Sequence, residues 1–168
     1  MTIDVSGFRV QGLAPVARPD ARILILGTMP GVVSLARGQY YGNPRNAFWG
    51  IAAALFGVDA AADYDARLQA LMAARVALWD VLADCERRGS LDSAIVASSV
   101  APNDLPGFFA AHPQLEVVAL NGAKAAQLYR RHVVHPAGLR LLALPSTSPA
   151  HAAQRFEDKL TAWRPLIS

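Results

Sequence analysis

The fold turns on residues 21–49, "ARILILGTMPGVVSLARGQYYGNPRNAFW". Past Arg22 the stretch opens with an uninterrupted aliphatic run closed by Gly27. A short apolar run with no polar alternation predicts a strand buried on both faces, the condition of a parallel sheet covered by helices. The character then changes. Residues 27–49 hold four glycines, two prolines, two adjacent tyrosines and two asparagines, with no carboxylate, cysteine or histidine.

Three further runs have the first run's character: "RVALWDV" at 75–81, "LEVVALNG" at 115–122 and "LRLLALPS" at 139–146. The run at 75–81 also reads as the continuation of a helix through "LMAARVALW", and periodicity alone does not separate the two. Helical patterns lie between the runs. "NPRNAFWGIAAALFG" predicts a helix capped by Asn43, with Pro44 at its first position and Gly57 beyond its end. "DYDARLQALMAAR", "NDLPGFFAAH" and "GAKAAQLYRRH" predict three more, and "SPAHAAQRFEDKLTAW" predicts a helix opening at Ser148 and Pro149. Strands alternating with helices give an α/β fold, a three-layer α/β/α sandwich on a four-stranded parallel sheet. The 168 residues suit a single domain spanning 1–168.

A hydrophobic fraction of 53% with 17% charged residues fits a well-buried fold and argues against disorder. The net charge of +3 permits nucleic-acid binding without requiring it. A single cysteine, Cys85, excludes an internal disulfide framework and argues against a cysteine-ligated zinc or iron–sulfur site. No secretory leader and no membrane-length apolar run is visible, so a cytoplasmic location and no membrane partner are expected. His112, His132 and His135 show no ligand spacing, and neither a metal nor a cofactor is expected.

In α/β sheets ligands bind beyond the carboxyl ends of the strands, which here are the loops "GTMPGVVS", "WDVLADCERRGS", "ALNGA" and "PSTSPAH". Gly27 and Gly31 let backbone approach a ligand, and Pro30 stiffens the turn. The first loop is neither a Walker loop nor a GxGxxG turn, and a plain strand-to-helix connection explains it equally well. Tyr40 and Tyr41 suit either core packing or stacking on a flat ligand. Asn46 would fall in the first turn of its helix, where it either orients a water or sits as a polar surface residue. Asp80 either faces the site or caps the next turn. Ser146, Thr147 and Ser148 offer hydroxyls at a predicted helix N-terminus suited to a phosphate, with His151 in the first turn.

Taken together, "LGTMPGVVSL", "YYGNPRNAFW", "ALWDVLADCERRGSLDSAI", "LNGAKAA" and "LPSTSPAHA" resemble the uracil-DNA glycosylase superfamily, and most closely its hypoxanthine-DNA (deoxyinosine) glycosylase branch. The resemblance runs in family order over residues 22–155. It implies an α/β/α sandwich on a four-stranded parallel sheet, and a monofunctional enzyme that flips a damaged base out of DNA and hydrolyses its N-glycosidic bond without a metal. "GTMPG" stands where the mismatch-specific branch has "GINPG", so Met29 occupies the place of a water-positioning asparagine. Leu144 stands where many branches have His or Asn.

The resemblance leaves Asn46 as the catalytic candidate. It assigns base binding to Gly27, Thr28, Met29, Pro30, Gly31, Ser34, Tyr41, Phe48 and Asn121, with Tyr41 stacking on the base. It assigns DNA contact to Ser146, Thr147, Ser148, Pro149, Ala150 and His151. The expected partner is DNA containing a deaminated base (chiefly hypoxanthine, with xanthine or uracil as further substrates), bound by a monomer at a modest rate of turnover. The alternative is a DNA- or nucleotide-binding module of the same fold with little or no catalysis, because Met29 and Leu144 replace the usual catalytic types.

Overall fold

The computed structural model describes residues 8–151 and 153–168. The four apolar runs are the four strands of one parallel sheet. After a short strand β1 (Arg9–Gln11) come β2 (Ile23–Gly27), β3 (Val76–Asp80), β6 (Val117–Asn121) and β7 (Arg140–Leu144), ordered β3-β2-β6-β7. The helical alternative for residues 75–81 is therefore not realised. The tertiary pairing of Ile23–Gly27 with Val76–Asp80 settles it in favour of a strand.

Alternation within these strands divides the core in two. On one face Leu24, Leu26, Ala77, Val118 and Leu120 pack with Leu105 and Phe108 of α4 (Leu105–Ala111) and Leu128 and Tyr129 of α5 (Ala123–His132). On the other, Ile25, Val76, Leu78, Val117 and Ala119 pack with helices α2 (Phe48–Phe56), α3 (Tyr64–Ala73) and α6 (Phe156–Trp163). Both faces of the sheet are covered, so the strands read as continuous apolar runs and not as alternating ones. Among the described residues no helix is long and apolar enough to cross a membrane.

Three features depart from the sequence expectation. A second, antiparallel sheet, β1-β4-β5, is formed by Arg9–Gln11, Leu82–Glu86 and Ala101–Pro102. It covers the α4 side of the core with Leu82 and Cys85. A six-residue helix, α1 (Val32–Arg37), follows the first loop.

The third departure concerns two helix starts. Asn43 is not a helix cap. Its Oδ1 accepts from Arg45 N–H and its backbone oxygen from Asn46 N–H, forming a tight turn, and α2 begins only at Phe48. The Ala47 N–H, which a helix from Pro44 would direct to Asn43 O, donates instead to Thr147 O at 3.0 Å. Likewise Ser148 and Pro149 do not open the last helix. Ser148 Oγ accepts from Ala150 N–H and its backbone oxygen from His151 N–H, and α6 begins at Phe156. In both cases short polar side chains satisfy the local backbone in a turn, which competes with helix formation.

The true caps are Asp63 and Asp104, whose carboxylates accept from Ala66 N–H and Gly107 N–H. Asp63→Ala should cost about 1 kcal/mol of stability. Ser148→Ala, which uncaps no helix, should cost less than about half that. Urea denaturation of the two variants beside the wild type checks the contrast.

Candidate active site

A cleft of about 580 Å³ lies at the carboxyl ends of the parallel strands. It collects Gly27, Thr28, Met29, Pro30, Gly31, Ser34, Tyr41, Asn46 and Asn121, together with residues 146–151. Phe48 is the exception among the sequence candidates. It is fully buried and does not line the cleft. It stacks behind Tyr41, with ring centroids 4.0 Å apart and planes at 25°.

One buried amide joins three segments of this wall. Asn121 ends β6, and its Oδ1 accepts from Thr147 N–H at 3.0 Å while its Nδ2 donates to Thr147 Oγ1 at 3.0 Å. The same Nδ2 lies 3.3 Å from the Tyr41 hydroxyl, to which it donates. Thr147 is 1% exposed, so it fastens the loop from inside. Gly122, at φ +100, makes the turn out of β6, and a Cβ there would stand 3.0 Å from the Ser146 Cβ. Glycine is needed both for the dihedral and for the approach of the two loops.

The two tyrosines divide their roles. Tyr40 is buried and its hydroxyl donates to the backbone oxygens of Leu13 and Ala14, a core position. Tyr41 sits at φ +54, an uncommon conformation for a non-glycine residue. That backbone turns its ring onto Phe48 on one side, while the residue also lines the cleft. Ser34 Oγ accepts from Gly42 N–H at 2.9 Å and so closes the loop that carries Tyr41.

Asn46 stands just before α2 and not in its first turn. Its Oδ1 accepts from Phe48 N–H at 2.9 Å, which fixes the amide while leaving a lone pair and the Nδ2 donors for a ligand or a water. The 146–151 loop is a series of turns with no helix N-terminus behind it, so the helix-dipole argument for a phosphate there does not apply. Its exposed residues are Ala150 and His151.

Carboxylates reach the cleft from outside the polar loop. Asp80, the last residue of β3, lines the cleft but is only 4% exposed. Its Oδ2 is buried without a hydrogen-bond partner among the described residues. Burial pushes its carboxyl up to about 7, the nearby Asp92 charge adds to the rise, and the Arg87 guanidinium opposes it. Asp92 accepts from Thr28 Oγ1 at 3.3 Å and is itself shifted up, chiefly by burial.

Arg87 is 2% exposed and donates to the backbone oxygens of Pro30 at 2.7 Å, Met29 at 3.4 Å and Gly89 at 2.7 Å. It therefore holds the carbonyl side of the first loop. Among the described residues the N–H groups of Thr28, Met29 and Gly31 find no acceptor. The sequence left Asp80 between site and turn cap, and it passed over Asp92 and Arg87. The available signal was a polar residue closing an apolar strand, shared by "ALWD" and "VALN". No three His, Cys, Asp or Glu side chains converge as metal ligands among the described residues.

Comparison with known proteins places these features in a family. The family model for the uracil DNA glycosylase superfamily matches residues 14–167. A protein of Methanosarcina acetivorans named hypoxanthine DNA glycosylase is 34% identical over 155 residues, covering 91% of this chain and 94% of the relative. A protein of the same name from Methanosarcina barkeri is 36% identical over 118 residues, covering 70% and 73%. A solution NMR structure from Methanosarcina acetivorans, described provisionally as a uracil DNA glycosylase, superposes with a TM-score of 0.76 at 31% identity. That match covers 95% of this chain and 99% of the other.

Two stability predictions follow from the buried groups. Asn121→Ala strands the Thr147 N–H and hydroxyl in the interior and should cost on the order of 2–3 kcal/mol, read as a lowered urea midpoint. For Asp80 the sign runs against high pH. The native carboxyl holds its proton to about pH 7, whereas an unfolded aspartate ionises near pH 4. Over that window the unfolded state binds fewer protons, so stability falls as pH rises. The stability gained by Asp80→Asn over wild type should therefore be larger at pH 8 than at pH 4, measured by paired urea titrations.

Proposed function

The chain belongs to the uracil DNA glycosylase superfamily, and from that premise we propose that it is a monofunctional DNA glycosylase for deaminated bases, chiefly hypoxanthine. The observation that carries the reading is the meeting of Tyr41, Asn46 and the 27–31 loop around one cleft. The hypoxanthine DNA glycosylase names of the two Methanosarcina relatives support the choice of base.

In this reading a base turned out of the duplex enters the cleft and lies against Tyr41, whose far side is braced by Phe48. Extrusion costs least for a mispaired base, and deaminated bases are mispaired. Asn46 holds the water that attacks C1′ of the sugar. As the C1′–N bond breaks, its electron pair goes to the base and positive charge develops on the sugar; the water oxygen then bonds C1′ and sheds a proton to solvent, and the departing base takes one up from solvent. The unpartnered N–H groups of the first loop meet the base, and fixed donors of this kind stabilise charge that develops at the transition state. The chemistry requires no metal, because the leaving base is stabilised by dipoles and the cationic sugar by the DNA phosphates. The 146–151 loop, tied from inside through Thr147, presents Ser148, Pro149, Ala150 and His151 to the DNA strand.

The test is release of base from oligonucleotides carrying hypoxanthine, xanthine or uracil, followed by alkaline cleavage of the abasic product. Hypoxanthine should be released fastest. Salt-dependent DNA binding with no release of any of the three would favour a binding module instead. Asn46→Ala should lower the single-turnover rate by about 10²–10³-fold, the size expected for losing one transition-state contact, with DNA affinity nearly unchanged. An unaltered rate would take Asn46 out of the mechanism.

A further inference from the structure

The turn that carries Asn46 has a second side. Asn43 and Asn46 line the cleft, whereas Arg45 and Ala47 line a separate pocket of about 350 Å³. Its other walls are Pro149 and Gln154 of the chain after β7 and Phe156 and Lys159 of α6. Only Pro149 belongs to both. Lys159 is the unexpected member. It is 4% exposed, and its ammonium has no hydrogen-bond or ion-pair partner among the described residues. A buried charge is costly unless it is paired, so a lone ammonium lining a pocket marks a place for an anion.

The other walls suit the same kind of ligand. Arg45 is exposed, and its guanidinium likewise has no partner among the described residues. No carboxylate lines the pocket. Glu157 and Asp158 share the first turn of α6 with Lys159, but both are exposed, and Asp158 pairs with Arg155 at 3.8 Å. Gly50 sets the position of the apolar wall. A Cβ on residue 50 would stand 2.9 Å from Phe156 Cε2, so the missing side chain lets the Phe156 ring lie against α2. Glycine weakens a helix interior, and this contact explains its place in α2. The ring is still 40% exposed, which leaves part of its surface for a ligand.

We propose that this pocket binds a backbone phosphate of the DNA strand that crosses the cleft. Arg45 and Lys159 hold the charge, Gln154 donates to a phosphate oxygen, and the adjoining sugar lies on Phe156. The proposal rests on the glycosylase reading above for the identity of the strand. A sugar–phosphate unit has one charged and one apolar part, and so do the walls: two cations and an amide beside Ala47, Pro149 and Phe156. Contacts of this kind set the register of a protein on its duplex without reading sequence. Here the register bears on the chemistry, because Arg45 and Asn46 are neighbours on one tight turn. Asn43 closes that turn through the Arg45 and Asn46 N–H groups, and the Ala47 N–H ties it to Thr147. A phosphate seated on Arg45 therefore pins the turn on which Asn46 stands.

The test uses duplex oligonucleotides in which one phosphodiester at a time, on either side of the damaged base, is replaced by a neutral methylphosphonate. The damaged nucleotide is 2′-fluoro-deoxyinosine, whose fluorine disfavours a cationic sugar, so that binding is read without release. Lys159→Met should bind the unmodified duplex about tenfold more weakly than wild type, whether the base is hypoxanthine or an ordinary one, with a salt slope lower by about 1. One methylphosphonate should weaken wild type to the same extent and leave Lys159→Met within about twofold of its own affinity. Arg45→Gln should behave likewise. Arg130→Gln, which removes a charge from the last turn of α5, should lose less than about twofold. Urea midpoints establish folding, and Lys159→Met should be no less stable than wild type, because it removes an uncompensated buried charge. If it does not fold, the exposed Arg45 decides. The absence of any linkage coupled to Lys159 or Arg45, or a loss as large in Arg130→Gln, would overturn the site. So would inorganic phosphate that raises the melting temperature of wild type but not of Lys159→Met while both bind DNA equally, since the pocket would then belong to a free phosphate. Release of hypoxanthine from the ordinary duplex is measured in parallel. Release with no coupled linkage removes this site and keeps the glycosylase reading, and a coupled linkage with no release does the reverse.

Discussion

The arrangement of the cleft depends on the hydrogen bonds of the Asn121 amide. A parallel sheet delivers its strand ends to one edge, but it does not fix the loops that leave them. Asn121 does so from the end of β6. It satisfies both the N–H and the hydroxyl of Thr147 in the loop after β7, and it reaches the Tyr41 hydroxyl in the loop after β2. Thr147 passes the constraint on, because its backbone oxygen receives the Ala47 N–H. That bond ends the turn carrying Asn46 and sets where α2 begins. The positions of the aromatic wall, the Asn46 amide and the 146–151 loop are thus linked through one buried side chain. In such a network every member is costly to remove, because its partners stay buried without it.

A second constraint is electrostatic. Two carboxyls, Asp80 and Asp92, lie near one buried guanidinium, and the guanidinium is also bonded to the carbonyls of Met29 and Pro30. Arg87 therefore does two things at once. It orients the first loop by its oxygens, while the N–H groups of Thr28, Met29 and Gly31 find no acceptor among the described residues, and it lowers the cost of keeping two acids in a desolvated place. One cation among such neighbours does not compensate both acids fully. The remainder is expressed as a raised Asp80 carboxyl, whose neutral form needs no counter-charge.

What the sequence showed and what it hid follow from the range of the interactions involved. Three of the four parallel strands were legible as uninterrupted apolar runs, "ILIL", "VVAL" and "LLAL", whereas Val76–Asp80 stayed between strand and helix until its pairing with Ile23–Gly27 decided it. The helices capped by Asp63 and Asp104 were equally legible, since a cap acts within one turn. The false starts at Asn43 and Ser148 had the same local chemistry. At Asn43 the decision rests on the Ala47–Thr147 bond, which joins residues a hundred positions apart. At Ser148 the hydroxyl and backbone oxygen close local turns before any helix forms. The antiparallel sheet was hidden because its pairings join the chain's start to its middle. Among the site residues, Tyr41, Asn46 and Ser34 stood out by motif. Phe48 was adjacent in motif but is separated from the cleft by the ring it supports. The acids were the hardest to see, because Asp80 ends a strand and Asp92 lies beyond β4, both outside the loop that looked like the pocket.

A polar loop without an acid or base here lies beside an acid delivered by the sheet. Residues 27–49 contribute flat surface, amides and N–H groups with no acceptor among the described residues, none of which changes charge near neutral pH. The ionisable group comes from the neighbouring strand, at the register position facing Gly27, where the loop's own lack of a side chain leaves space for it. An acid at the end of a strand buried on both faces is desolvated by the sheet itself, so the fold that makes the strand also pushes the carboxyl up. The apolar run "VALW" and the raised carboxyl of Asp80 are thus two consequences of one burial.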